Sequence, residues 1–92
     1  MVELTPEEEY YYANASMAML FDLAQEITTQ LGGEYVALYR AARNEEERGQ
    51  WIRLMREAHD IREGLDPDDR QALIDQITRW KAELSRVRGR EN

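Results

Sequence analysis

The stretch MAMLFDLAQEI, residues 17–27, decides the fold, because only three of its side chains are polar. An apolar stripe passes through it in alternating steps of three and four residues, the spacing of one helix face. Its members are Tyr10, Ala13, Met17, Leu20, Ala24, Ile27 and Leu31. Met19, Phe21 and Leu23 lie outside the stripe. Because a helix that is apolar on more than one face needs several neighbours, we predict the central helix of a bundle, or a helix that also meets a second chain.

Four helices are predicted, at about residues 6–31, 34–43, 45–63 and 67–88, and the middle two form either two helices or one kinked helix. Thr5, Pro6 and Glu8 have the pattern of a helix start, with a capping box closed by Glu8. Gly32-Gly33 predicts the first helix end. Asn44 is a candidate cap for a separate third helix.

Residues 64–69, Gly-Leu-Asp-Pro-Asp-Asp, mark the clearest boundary, with Asp66 as a cap and Pro67 opening the last helix. Short links make consecutive helices neighbours. The predicted fold class is therefore all-α, a small antiparallel bundle of three to four helices that forms one domain over residues 1–92, with 89–92 as a frayed tail.

The predicted core takes one face from each helix. Its members are Ala13, Met17, Leu20, Ala24, Ile27, Leu38, Met55, Ala58, Leu73, Ile77, Trp80 and Leu84.

Charge is distributed unevenly along the 92 residues, whose net charge is −7. Residues 1–47 carry ten acids and two bases, a net of −8, whereas residues 48–92 carry nine acids and ten bases, a net of +1. An acidic body repels phosphates and favours basic partners. There is no cysteine, no apolar run long enough to span a membrane and no signal-peptide pattern. We therefore expect a cytoplasmic protein that binds neither nucleic acid nor membrane.

His59 is the only histidine, and it lies one helical turn before Glu63. A pair of this kind predicts a surface contact rather than a metal site, because helical metal sites need several such ligands. No serine has a histidine at helical spacing, and no glycine-rich phosphate loop is present. The sequence therefore predicts no catalytic residue, no metal ligand and no cofactor, and a protein that is not an enzyme.

Two acidic pairs, Glu57-x-x-Asp60 and Glu63-x-x-Asp66, have the spacing that all-helical nucleotide pyrophosphohydrolases use to hold magnesium. Those enzymes also need an upstream Glu-x-x-Glu. Here the upstream acids are consecutive, and Glu45-x-x-Arg48 breaks the spacing, so magnesium lacks enough oxygen ligands. A metal-dependent hydrolase of this all-helical type is the remaining alternative function.

The last two helices have the order of a helix-turn-helix. The would-be recognition helix, however, begins with three aspartates that repel DNA phosphates. The basic residues between Arg79 and Arg90 lie at its far end, where they complement the helix dipole or contact an acidic surface. The sequence leaves these two readings open.

The run Glu7-Glu8-Glu9-Tyr10-Tyr11-Tyr12 is the most unusual local feature. Successive helical side chains point about 100° apart, so the three tyrosines cannot all enter one core. Tyrosine is favoured in binding surfaces because it offers a large, stiff contact area with a polar tip. The predicted partner-binding residues join this run to the apolar excess of the first helix and to a second acidic run: Glu7, Glu8, Glu9, Tyr11, Tyr12, Met19, Phe21, Glu45, Glu46 and Glu47.

The leading hypothesis is a non-enzymatic interaction module that docks on a partner protein with a basic surface, as an inhibitor, an antitoxin-like regulator or an adaptor. A specific version is a phage or bacterial protein that mimics phosphates and blocks a nucleic-acid enzyme. The alternative is a structural or regulatory homodimer that forms through the first helix.

Overall fold

The computed structural model describes the backbone of residues 4–91 and the side chains of residues 4–90. Over this range the chain is all-helical, and four helices pack as a small bundle: α1, Pro6–Asn14; α2, Met17–Ala41; α3, Glu45–Glu63; and α4, Arg70–Glu91. The all-α fold class and the small bundle are confirmed. None of the helices within residues 4–91 is long and apolar enough to cross a lipid bilayer.

The predicted helix over residues 6–31 is wrong at an internal position, because the chain breaks at Ala15 and Ser16. Both residues are extended, with φ/ψ of −68°/147° and −68°/158°. The Ser16 hydroxyl accepts a hydrogen bond from the Met19 N–H at 3.1 Å, which caps the start of α2. The capping box predicted at Thr5 and Glu8 is present. The break lets α1 fold back, and this buries the side chains of Tyr12 and Ala15.

The predicted helix end at Gly32-Gly33 is also wrong, because α2 continues to Ala41. Each glycine weakens a helix by about 1 kcal/mol relative to alanine. Leu31 and Tyr35 lie on either side of the pair and are both buried, so tertiary packing outweighs this loss. Of the two alternatives for residues 34–63, the separate third helix is correct: α3 begins at Glu45, and the Asn44 side chain caps it.

The last helix begins later and ends later than predicted. Asp66 accepts the Asp68 N–H at 2.9 Å within a turn, and Asp69 accepts the Ala72 N–H at 3.0 Å, so Asp69 rather than Asp66 caps α4. The helix also continues past Arg88 to Glu91, which corrects the frayed tail predicted from residue 89. Asn92 lies outside the described residues.

Helix α2 is the central element, since it packs against both α3 and α4. The rings of Tyr35 and Trp51 stack at 6.1 Å between α2 and α3. Arg70 contacts the α1–α2 junction, and Arg88 bonds Glu34 at 3.1 Å, so α4 runs along α2 in the same direction. The buried apolar side chains are Tyr12, Ala15, Leu20, Ala24, Ile27, Leu31, Tyr35, Trp51, Ala58, Leu73, Ile74, Ile77, Trp80, Leu84 and Val87.

Eight predicted core residues are buried, and three more, Met17, Leu38 and Met55, are partly buried against the core. Ala13 is exposed, and so is Tyr10 from the apolar stripe. These two positions are corrections. Their cause is the Ala15–Ser16 break, after which the face of α1 that carries Tyr12, not the face that carries Tyr10, meets the rest of the protein.

Candidate partner-binding surface

The inner face of α1 is bound to α4. Tyr12 is only 3% exposed. The Lys81 ammonium donates to the Glu8 carboxylate at 2.9 Å and to the Tyr12 hydroxyl at 3.3 Å. The hydrogen bond from Lys81 lowers the pKa of Glu8, and the same bond raises the pKa of Lys81. One lysine of α4 therefore bonds two successive turns of α1.

Arg70 holds the end of α1. One guanidinium nitrogen, Nη1, donates to the backbone carbonyls of Tyr12 at 2.8 Å and Ala15 at 2.7 Å. The last carbonyls of a helix have no donor within that helix, and they form the negative end of its dipole. The first residue of α4 thus satisfies the end of α1 from more than fifty positions away in the chain.

The outer surface of α1, defined here as Glu7, Glu9, Tyr10 and Tyr11, is exposed. The exposed fraction is 73% for Tyr10 and 46% for Tyr11. The tyrosine run therefore divides into one ring in the core and two at the surface, whereas its helical spacing required only that at least one be exposed. These side chains form a large, stiff aromatic area flanked by carboxylates.

Two residues of the predicted partner-binding set, Glu8 and Tyr12, face inward. Tyr12 is buried, so its side chain does not reach the surface in this structure. Glu8 is partly buried and already bonded to Lys81. Neighbouring residues of a helix diverge by about 100°, so a nine-residue helix with one bound face cannot present all five of its predicted side chains outward. Tyr10, absent from the predicted set, is the most exposed large apolar side chain among the described residues.

Helix α2 contributes less apolar surface than its sequence indicated. Met19 is 50% exposed. Phe21 and Leu23 are partly buried and pack against the core. They lie on either side of the fully buried Leu20 around the helix. Both side chains therefore pack at the edge of the core and do not form a second, exposed apolar face. Of the apolar residues predicted outside the stripe, only Met19 is exposed.

The second acidic run, Glu45 to Glu47, stabilises the start of α3. The Asn44 side chain accepts the Glu47 N–H at 2.9 Å, and the Glu47 carboxylate accepts the Arg43 N–H at 3.0 Å. Glu45 pairs with Arg48. Carboxylates in a first helical turn also complement the positive end of the dipole. Two of the three acids therefore already have local roles, and Glu46 is exposed.

The fold does not bring the two acidic runs together. From the Ser16 break, α1 reaches back only about 13 Å along the bundle, whereas α2 extends about 37 Å, at about 1.5 Å per residue. Lys81 binds Glu8 near the middle of α4, and Glu45 follows the far end of α2. Residues 7–9 and 45–47 thus belong to different parts of the surface.

The histidine and the acidic residues that have the spacing of metal ligands are spread over the exposed side of α3 and, for Asp66, lie in the turn that follows it. His59 Nε2 lies 3.9 Å from the Glu63 carboxylate, and both side chains are exposed, which confirms the predicted surface pair. Glu57 and Asp60 are exposed as well. Within residues 4–90, no three histidine, aspartate or glutamate side chains are grouped so that they could hold a metal ion.

A groove of about 270 Å³ between α3 and α4 was not predicted, and Leu54, Ile61 and Trp80 supply much of its apolar lining. At its base the Tyr35 hydroxyl donates to Glu83 at 2.5 Å, and Arg86 donates to the same carboxylate at 2.7 Å. Burial, followed by this bond to Glu83, raises the pKa of Tyr35, and Arg86 lowers the pKa of Glu83. No sequence pattern links Tyr35 to Glu83, because they lie on different helices.

The outer surface of α1 is thus the feature that best fits a binding role, and it coincides in part with the predicted residues. Comparison with protein-family models, with curated proteins and with solved structures finds no match to this chain.

Proposed function

We propose that this protein is a non-enzymatic interaction module that docks on the basic surface of a partner protein through the outer surface of α1. One observation carries the proposal: Tyr10 and Tyr11 are exposed between the exposed carboxylates of Glu7 and Glu9, while the inner face of the same helix is held on α4. The surface is therefore already ordered, which lowers the entropy lost on binding.

The chemistry of this surface defines the partner. Tyrosine rings supply apolar contact area with a hydrogen-bonding tip, and such residues dominate binding energy at protein interfaces. Glu7 and Glu9, in an N-terminal half of net charge −8, steer lysine- and arginine-rich surfaces toward them. A partner that binds nucleic acid is one class with such a surface. An inhibitor that occupies its phosphate-binding site is the specific form of the proposal.

The test begins with a photo-crosslinking amino acid at position 10, and in parallel at position 53 on α3, in the cell that makes the protein. Arg53 is exposed and serves as the matched control site. A partner that cross-links from position 10 and not from position 53 is purified and titrated by calorimetry. We expect the affinity to fall as salt is added, because charge pairs at the rim of an interface are screened.

Variants of the chain then locate the contact. Tyr10→Ala with Tyr11→Ala should weaken binding by tenfold or more, as truncation of interface aromatics commonly does. The control removes two exposed apolar side chains elsewhere, Ile52→Ala with Ile61→Ala, and should leave affinity unchanged. Equal affinity of the tyrosine variant and the original chain, or affinity insensitive to salt, would contradict the proposal.

A further inference from the structure

The break between α1 and α2 contains no residue that breaks a helix. Alanine has the highest helix propensity, serine costs only a fraction of a kcal/mol, and neither glycine nor proline occurs between Pro6 and Gly32. The apolar stripe also keeps its three-and-four spacing across Ala15 and Ser16. The local sequence is therefore compatible with one continuous helix from residue 6 to residue 41.

The bent form is held by the Ser16 cap on Met19, which is local, and by tertiary contacts with α4. The tertiary contacts are the burial of Tyr12, the bonds from Arg70 to two carbonyls, and the bonds from Lys81. We call the surface of α4 that contacts α1 the α1 seat, and we define it by Arg70 and Lys81. Every copy of the chain carries Arg70 and Lys81, so α1 can contact the seat of its own chain or the seat of another copy.

Straightening the break in a lone chain would be unfavourable. The 36-residue helix that results, about 54 Å long, would carry Tyr12 away from its seat into water. It would also leave Arg70 without the two carbonyls that it bonds. A second copy restores the burial of Tyr12 and the bonds from Lys81, because each straightened chain offers an empty seat and a free α1.

We propose that two copies of this chain exchange α1, so that α1 of each occupies the α1 seat of the other and α1 and α2 form one continuous helix. The burial of Tyr12 and the bonds from Lys81 are then the same as in the monomer but join different chains, whereas Arg70 loses the Ala15 carbonyl, which accepts the Met19 N–H in a continuous helix. Such exchange of an identical element is a recognised route to dimers, favoured where a short hinge joins it to the body. The two bundles would meet at the ends marked by Ser16.

The exchange leaves the exposed side of α1 as it is in the monomer. Tyr10 and Ala13 are exposed in the monomer, and because α1 meets the same seat in the other chain, both residues stay on the side that faces away from it. This proposal stands apart from the docking proposed above, since its experiment uses the purified chain alone.

Substitutions at Ser16 form the first test. Ser16→Ala and Ser16→Pro both remove the cap hydroxyl, yet they should act in opposite directions. Alanine favours the continuous helix and should tighten the dimer by about thirtyfold, the equivalent of the two caps that the two chains lose. Proline fits the observed φ of −68° and an extended Ala15, but it blocks a continuous helix, so this variant should stay monomeric. Analytical ultracentrifugation measures both, and circular dichroism verifies that both fold.

A chemical cross-link identifies which chain supplies α1. The chain has no cysteine, so Glu8→Cys with Lys81→Cys places the only two thiols at α1 and its seat. A short bis-maleimide should join them within one chain in the monomer fraction and between chains in the dimer fraction. Three results would overturn the proposal: both the original chain and Ser16→Ala staying monomeric at the highest soluble concentration, Ser16→Pro dimerising, or the dimer fraction cross-linking only within chains.

Discussion

Helix α4 makes two kinds of interface. Against α2 it presents Leu73, Ile77 and Val87, which are fully buried beside the core residues of that helix. Against α1 it presents Arg70 and Lys81, and one aromatic side chain, Tyr12, is buried there. Apolar burial is contributed by many atoms at once, whereas a few charged hydrogen bonds compete with water. The α2–α4 interface should therefore unfold with the whole protein, and α1 should open separately at a lower free energy.

The largest expected effect comes from the apolar interface. Ile77→Ala should lower the free energy of unfolding by about 2–5 kcal/mol, because it leaves a cavity in the core. Tyr12→Ala should lower the free energy of unfolding by a smaller amount, which is limited to the free energy gained when α1 packs on α4. The reason is that α1 can detach while α2, α3 and α4 remain folded. Urea denaturation followed by circular dichroism measures both. An equal loss in the two variants would show that α1 and the bundle unfold as one unit.

Next in size is the release of α1 by loss of Arg70. Arg70→Met keeps the aliphatic stem and removes both donors, and hydrogen bonds to charged groups contribute about 1.5–3 kcal/mol. Amide hydrogen exchange should therefore accelerate within residues 6–15 and stay unchanged at buried positions of α2. Arg56→Met, at an exposed position of α3, is the control. Uniform acceleration over all four helices would argue against a separately held α1.

A smaller effect is expected from the partly buried hydrogen bond that joins Tyr35 of α2 to Glu83 of α4. Tyr35→Phe removes the hydroxyl bonded to Glu83 and should cost about 1 kcal/mol at neutral pH. Burial raises the pKa of Tyr35 above its ordinary value of 10.0, so the unfolded chain loses this proton first. Stability should fall as the pH rises above 10.0, and the variant should show less of this fall. Thermal denaturation at several alkaline pH values measures it, and identical profiles would contradict the assignment.

The smallest expected effect is an acid-dependent loosening of α1. Lys81 lowers the pKa of Glu8 from 4.5. The contact is therefore fully present above pH 4.5 and is lost as the pH falls through the lower folded-state pKa. As the pH is lowered, the amides of α1 should lose their protection against hydrogen exchange at a higher pH than the amides of α4. Glu8→Gln should remove this dependence, and its persistence in the variant would assign the effect to another group.

Local patterns predicted the elements that depend on neighbouring residues in the chain. The Thr5 capping box, the start of α3 at Asn44 and most of the α2 and α4 core follow from caps and from three-and-four spacing. The same rules wrongly predicted a helix end at the two glycines in α2, because the buried Leu31 and Tyr35 on either side keep that segment helical. Propensity is a weak preference that packing overrides.

The candidate site could be predicted only in part. The tyrosine run required that at least one ring be exposed, and Tyr10 and Tyr11 are. Which ring is buried depended on the bend at Ala15 and Ser16 and on Lys81, which lies 69 positions from Tyr12. A contact at that separation has no periodic signature, so the inward direction of Tyr12 and Glu8 could not be read from spacing.

The amino-acid sequence by itself determined that this chain forms amphipathic helices, which faces of α2 and α4 are apolar, and that its N-terminal half is acidic. These properties follow from residue types at helical spacing. Only the tertiary structure decided where the first helix bends, which tyrosines reach the surface and how α1 is held. The reason is that Arg70 and Lys81 act on α1 through space, and their energies are absent from any local window, which by itself is compatible with one straight helix.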